Sequence, residues 1–122
     1  MSHVVEIQTQ VKDAAAVRAA CQRLKLEQPA HGTARLFSGD ATGLIVKLPS
    51  WQYPVVFDTT SGEAKYDNYN GCWGDQKDLD HFLQIYAVEA TKIQARKQGH
   101  SVTEQQLADG SIKLTVQVGG AA

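Results

Sequence analysis

Residues 75–99, DQKDLDHFLQIYAVEATKIQARKQG, decide the fold, because they predict a long helix with both ends specified. Asp75 is a candidate N-cap, since its carboxylate can accept hydrogen bonds from the free N–H groups of the first turn. Arg96 and Lys97 complement the helix dipole in the last turn, and Gly99 is a stop signal. One apolar face is expected over more than three turns. It comprises Leu79, Phe82, Leu83, Tyr86, Ala87, Ala90 and Ile93.

A strand and a shorter helix precede this element. Residues 4–11 alternate apolar and polar side chains, which predicts a strand with one wet face. Asp13 is a candidate N-cap for the helix that follows. We expect residues 27–32 to break that helix, because Pro29 disfavours helical dihedrals before it and Gly32 permits a positive φ. The buried stripe of the helix is expected to be Val17, Ala20, Cys21 and Leu24.

The rest of the chain reads as short strands between turns. Ser61-Gly62 and Asp109-Gly110 are hairpin signals, and the final strand alternates apolar with polar side chains. Neighbouring strands joined by short turns favour an antiparallel sheet. We therefore predict an α+β fold, mainly antiparallel sheet with two helices on one face, in the order β-α-β-β-β-β-α-β-β. One domain is expected over residues 1–118, with a flexible tail at 119–122. The four middle strands are placed near residues 34–37, 44–48, 53–58 and 63–69.

Composition excludes several classes of function. The 122 residues carry 12 Lys and Arg against 13 Asp and Glu, so no strong field attracts nucleic acid or an anionic membrane. Cys21 and Cys72 form no C-x-x-C pair, which argues against a zinc ribbon and a disulfide scaffold. No apolar run has the length of a signal peptide or a membrane span. We expect a cytoplasmic protein without a cofactor.

Both ends of the chain resemble a known family. The opening MSHVVEIQTQVKD with its alanine-rich helix, and the closing ARKQGHSVTEQQLADGSIKLTVQV, are similar to a family of unknown function typified by hypothetical chloroplast reading frame thirty-five. Its members are small plastid, cyanobacterial and bacterial proteins. The resemblance covers about half the chain, chiefly through MSH and GHSVTEQQLADGSIKL. The sequence departs from the family pattern at residues 24–26, LKL, and at the GGAA tail. It implies no reaction, but it implies a AAA-type ATPase or a small ferredoxin-like protein as partner.

Two constellations offer chemistry. Cys72 lies just before the long helix, whose N-terminus would stabilise a thiolate, and His81 would be its base. Neighbouring aspartates compete for that positive helix end, so a small residue that supports Trp73 is the alternative interpretation. Asp75, Asp78 and His81 recur at i, i+3 and i+6 and are candidate metal ligands, as are His3, His31 and His100. Capping already accounts for acidic residues in a first turn, so we expect no metal.

A third constellation is aromatic. Trp51, Tyr53, Tyr69 and Trp73 fall within 23 residues and are predicted to form an interaction surface on the face of the sheet that the helices do not cover. Tyr66 is expected to point inward. The sequence thus predicts a non-enzymatic accessory or adaptor protein that acts through protein contacts, including self-association. The alternatives are a cysteine- or metal-dependent enzyme or redox protein centred on Cys72 and His81, and a small-ligand-binding domain.

Overall fold

The computed structural model describes residues 10–119 and, for the first strand, the backbone of residues 4–7. The predicted α+β class and element order are confirmed. The strands are β1 Val4–Ile7, β2 Ala30–Leu36, β3 Gly39–Val46, β4 Val55–Asp58, β5 Glu63–Asp67, β6 Ser101–Gln106 and β7 Ile112–Gln117. The helices are α1 Ala14–Arg23 and α2 Gln76–Lys97.

Five strands form one antiparallel sheet in the order β1-β5-β4-β3-β2, and β6 pairs with β7 in a separate two-stranded sheet. Both predicted hairpins are present. Asp58 pairs with Glu63 across the first, and Gln106 pairs with Ile112 across the second. Gly110 adopts the left-handed conformation that its turn needs.

Both helices pack on one face of the five-stranded sheet, as predicted. Phe57 of β4 stacks on Phe82 of α2 with ring centroids 5.6 Å apart, and Cys21 lies fully buried on the stripe of α1. Tyr66 points into the same core, as expected. This main core is completed by buried side chains of the sheet and of both helices: Val17, Ala20, Leu44, Val46, Val55, Ala64, Leu79 and Ile85.

The helix caps are those predicted from local sequence. The Asp13 carboxylate accepts from the N–H groups of Ala15 and Ala16, and the Asp75 carboxylate accepts from that of Lys77. Gly99 follows α2 with a φ of 79°. Each helix therefore begins and ends where its own residues satisfy the free backbone groups.

Two predictions about helix surroundings are wrong. α1 already ends at Arg23, and Gly32 lies inside β2, paired with Gly43, rather than in a turn. On α2, Ala87 is exposed, whereas the chain buries three residues that the predicted face omits. The reason is that α2 packs against α1 on one side and the β6–β7 hairpin on another, which widens its buried face. The omitted residues are Ile85, Val88 and Ala95.

The β6–β7 hairpin is joined to the helices by ion pairs. Arg23 at the end of α1 lies 2.8 Å from Glu104 of β6 and 3.1 Å from Glu89 of α2. Lys92 of α2 pairs with both of these carboxylates. Four charges therefore connect α1, α2 and β6 in one network.

The ends of the chain are described only in part. β1 ends at Ile7, the structure does not describe residues 8 and 9, and the predicted side-chain faces of residues 4–9 lie outside the description. Val11 is buried, and its N–H donates to the carbonyl of Gly62. Of the predicted tail only Gly119 is described, and its N–H donates to Nδ1 of His100.

The β2–β3 hairpin curls over the second face of the sheet. Leu36 and Ala41 of the hairpin pack on Val56, which lies next to Phe57 on β4 and therefore points to the opposite face of the sheet. Phe37 sits at the tip of the hairpin, and its ring meets that of Trp73 at 5.1 Å. The hairpin therefore covers part of the face that the helices leave open.

Candidate interaction surface

Trp73 is the centre of an aromatic cluster on the second face of the sheet. Its ring centroid lies 4.9 Å from that of Tyr69, 5.1 Å from that of Phe37 and 5.4 Å from that of Tyr53. We call these four residues the aromatic surface. Three separate segments supply them: the β2–β3 turn, the approach to β4, and the loop between β5 and α2.

The loop that carries Tyr69 and Trp73 is held in place by its backbone and by α2. The carbonyl of Asn68 accepts from the N–H groups of Gly71 and Trp73, and its side-chain amide donates to Gln76. Tyr69 and Asn70 both adopt positive φ, at 45° and 54°. This conformation costs Tyr69 about 1–2 kcal/mol, whereas asparagine adopts it more readily. The strained backbone places Tyr69 against Trp73.

The aromatic surface is partly open to solvent. Phe37 is 46% exposed and Tyr69 is 39% exposed, while Tyr53 and Trp73 are half-buried. Beneath them Tyr53 packs on a second apolar cluster between the curled hairpin and the sheet. Its buried members are Leu36, Ala41 and Val56. Fixed aromatic rings with exposed edges are the side chains that anchor protein contacts.

Trp51 does not belong to this surface, so the predicted set is divided between two places. Its indole packs against the main core, meets the ring of Tyr66 edge-on at 5.8 Å, and donates from Nε1 to Asp78 at 3.3 Å. Gly74 lies directly under it, where a Cβ would stand 2.2 Å from the indole ring. The glycine before the α2 cap is therefore required by the close approach of Trp51.

Cys72 and His81 are both exposed side chains. The N–H of Cys72 donates to the carbonyl of Tyr69, and no hydrogen bond joins its thiol to His81 in the part of the chain that the structure describes. The buried thiol is that of Cys21, and burial raises its pKa to about 11. Among residues 10–119, no hydrogen bond joins either thiol to a basic side chain.

The candidate metal ligands serve other roles. Asp75 caps α2 and Asp78 accepts from Trp51, while His31 is exposed on β2. The side chain of His3 lies outside the described residues. Within residues 10–119, no three His, Cys, Asp or Glu side chains come together in a way that could hold a metal ion.

A cleft of about 300 Å³ opens between the end of α1, the β3–β4 loop and the start of α2. Its lining is mainly apolar, and Asp78 and His81 contribute a carboxylate and an imidazole from α2. We call it the leucine cleft. It is lined by Leu24, Leu26, Leu48, Pro49, Ser50, Asp78 and His81.

Two residues that stand out in the structure were not predicted from the sequence. Phe37 is absent from the predicted aromatic set, although it is a large apolar side chain directly before Ser38-Gly39. Asp67, at the end of β5, is fully buried, and neither carboxylate oxygen has a hydrogen-bond partner among the described residues. Nothing in its local sequence marks it as buried.

Comparisons with protein-family models, with curated proteins and with solved structures find no match for this chain. Neither of the two described helices is both long and apolar enough to cross a membrane.

Proposed function

We propose that this protein is a non-enzymatic accessory protein that binds another protein through the aromatic surface. The observation that carries the proposal is the packing of Phe37, Tyr53 and Tyr69 around Trp73, with two of the rings more than one-third exposed. Such rings bury a large area at low entropic cost when they are already held in place.

The partner class comes from the resemblance of both chain ends to the reading-frame-thirty-five family. That resemblance favours a AAA-type ATPase or a small ferredoxin-like protein. A contact made by aromatic rings suits either, because the chain has a formal charge of only −1 and contributes little electrostatic steering.

The test is binding of purified chain to a AAA-type ATPase and to a ferredoxin-like protein from the same organism, measured by calorimetry. Phe37→Ser should weaken the contact by roughly tenfold or more, as expected for an aromatic anchor. Leu107→Ser is the matched control, since Leu107 is also an exposed apolar residue on a hairpin loop, at 38%. Equal affinity of Phe37→Ser and the wild-type chain, or binding of neither partner, would contradict the proposal.

A second candidate function, small-ligand binding, is favoured by the leucine cleft. Its volume of about 300 Å³ is at the lower end of ligand pockets, and its lining combines apolar side chains with one carboxylate, that of Asp78. An aliphatic or aromatic amine fits this chemistry. Titration with phenethylamine should shift the NMR resonances of Leu24, Leu26 and Leu48, whereas phenylacetate should not. Unchanged leucine resonances with both probes would remove this candidate.

Thiol or metal chemistry at Cys72 and His81 has less support, because the described residues give the thiol no base in contact and gather no metal-ligand set. It remains an alternative that thiol reactivity and metal analysis test directly.

A further inference from the structure

β7 is an edge strand without the usual protection. It pairs with β6 on one side and with no described strand on the other. The segment from Ile112 to Val118, IKLTVQV, contains no proline and one charged residue, and its register with β6 is regular from end to end. Natural sheets usually protect such edges with charges, proline or bulges. The free backbone groups of β7 are therefore available to another strand.

The apolar face of this strand is also incompletely covered. Ile112 packs against the main core, but Val116 is 44% exposed and Val118 is 71% exposed. A two-stranded ribbon is marginal in water unless a third strand or another layer supports it. The hairpin is supported by α2 near Ile112 and by the ion pairs of Glu104, whereas Val116 and Val118 stay exposed.

The polarity of the segment is symmetric about Thr115. Read in either direction from Thr115, the chain gives an apolar residue, a polar residue and an apolar residue: Val116, Gln117 and Val118 on one side, and Leu114, Lys113 and Ile112 on the other. We propose that β7 pairs antiparallel with β7 of a second copy of this chain, with the two-fold axis at Thr115. Leu114 then faces Val116, and Lys113 faces Gln117 rather than another lysine.

This pairing joins two ribbons into a four-stranded sheet in which the apolar side chains of the two central β7 strands lie on the same face, an isologous arrangement. The free edge of β6 fits less well. Self-pairing of β6 about Glu104 sets two carboxylates opposite each other, and pairing about Thr103 sets Glu104 opposite Val102. Glu104 is moreover already bound to Arg23 and Lys92. The second copy therefore occupies the β7 edge.

The proposal is independent of the aromatic surface, because the two share no residue. Sedimentation equilibrium of the full chain should give a dimer of twice 13.3 kDa. Thr115→Lys brings two ammonium groups together at the axis and should weaken the dimer by roughly tenfold or more. Thr103→Lys is the matched control, because Thr103 pairs with Thr115 inside the ribbon yet lies on the far strand. It should leave the dimer intact.

A cross-linking arm tests the geometry itself. In a Cys72→Ser background, Thr115→Cys places two thiols opposite each other at the axis, and mild oxidation should link the chains. Thr103→Cys should not link them. A wild-type chain that sediments as a monomer at millimolar concentration overturns the proposal. So does equal loss of the dimer in Thr115→Lys and Thr103→Lys, or equal cross-linking of the two cysteine variants.

Discussion

At the scale of single residues, close contacts explain side chains that local patterns leave ambiguous. Gly74 lies between Trp73 and the helix cap Asp75. From the sequence alone, a glycine at this position is compatible with either a catalytic or a structural turn. The indole of Trp51 covers its Cα so closely that no Cβ fits. The glycine therefore serves packing, and the adjacent Trp73 is free to turn to the opposite face of the sheet.

Replacement of Gly74 by alanine should destabilise the fold. The added Cβ would lie 2.2 Å from the Trp51 ring, so the indole must move and weaken its contacts with Tyr66 and Asp78. We expect a loss of about 1–3 kcal/mol in the free energy of unfolding, measured by urea denaturation. Gly32→Ala is the control, because its Cβ would make an ordinary contact with Ile45 at 3.7 Å. Equal stability of Gly74→Ala and wild type would contradict the packing of Trp51.

Asp67→Asn should stabilise the protein at neutral pH. Asp67 is a fully buried carboxylate without a hydrogen-bond partner among the described residues; such a group is expensive to desolvate, and an amide of the same shape is less so. The expected gain is about 1 kcal/mol or more in thermal or urea unfolding at about pH 7. Asp40→Asn, at an exposed position of β3, should change little, since the Asp40 carboxylate lies 3.8 Å from the exposed Arg35. A loss of stability in Asp67→Asn would mean that the carboxylate has a partner in solution.

At the scale of elements, the charged network fixes the β6–β7 hairpin to the helices. Hydrogen bonds from Arg23 and then Lys92 hold the pKa of Glu104 at about 2, well below the ordinary range of a glutamate. Because this pKa is lowered by folding, the stabilisation is present above the unfolded value, about 4.3, and is lost as the pH falls toward 2.

Glu104→Gln should therefore cost about 1–2 kcal/mol of unfolding free energy at neutral pH, after allowance for solvent screening. The difference between this variant and the wild type should shrink below about pH 4.3 and vanish near pH 2. Urea titrations at a series of pH values measure it. Glu27→Gln removes a pair that is more than 60% exposed on both sides and should have little effect at any pH. A pH-independent difference for Glu104→Gln would contradict the network.

Helix caps and hairpin turns are predicted correctly because the residues that specify them are close together in the sequence. The caps at Asp13 and Asp75 and the hairpins at Gly62 and Gly110 depend on residues within one turn, and the structure has all four. β2 begins at Ala30, four residues before the predicted start at residue 34. Its first residues carry almost no apolar pattern and become a strand only by pairing with β3.

The candidate site was predictable only in part, because its members meet through tertiary structure. Tyr53, Tyr69 and Trp73 converge as expected, but Trp51 lies with the main core. Phe37 joins them because the β2–β3 hairpin packs on the second face of the sheet, a contact that local sequence does not encode. The four charged side chains of the network, Glu104 included, come from three elements, so no local spacing in the sequence predicts that they meet.

At the scale of the whole molecule, the two cysteine thiols differ in their access to solvent, so their reactivities measure different properties of the fold. Cys72 is exposed at the rim of the aromatic surface, and Cys21 is fully buried where α1 joins the main core. Burial both shields the Cys21 thiol and raises its pKa to about 11, so its thiolate is scarce in the folded state. The reactivity of Cys21 therefore measures opening of the core.

One thiol per chain should react rapidly with Ellman's reagent under native conditions, and the second should react only as the core opens. For a domain of ordinary stability the two rates should differ by about a thousandfold or more. Cys21→Ser should remove the slow phase and Cys72→Ser the fast one. Gly74→Ala should accelerate the slow phase by about tenfold for each 1.4 kcal/mol of stability lost, because α1 and α2 share one core. If Cys21 instead reacts as fast as Cys72, α1 detaches without global unfolding, and the single cooperative core inferred from the packing is wrong.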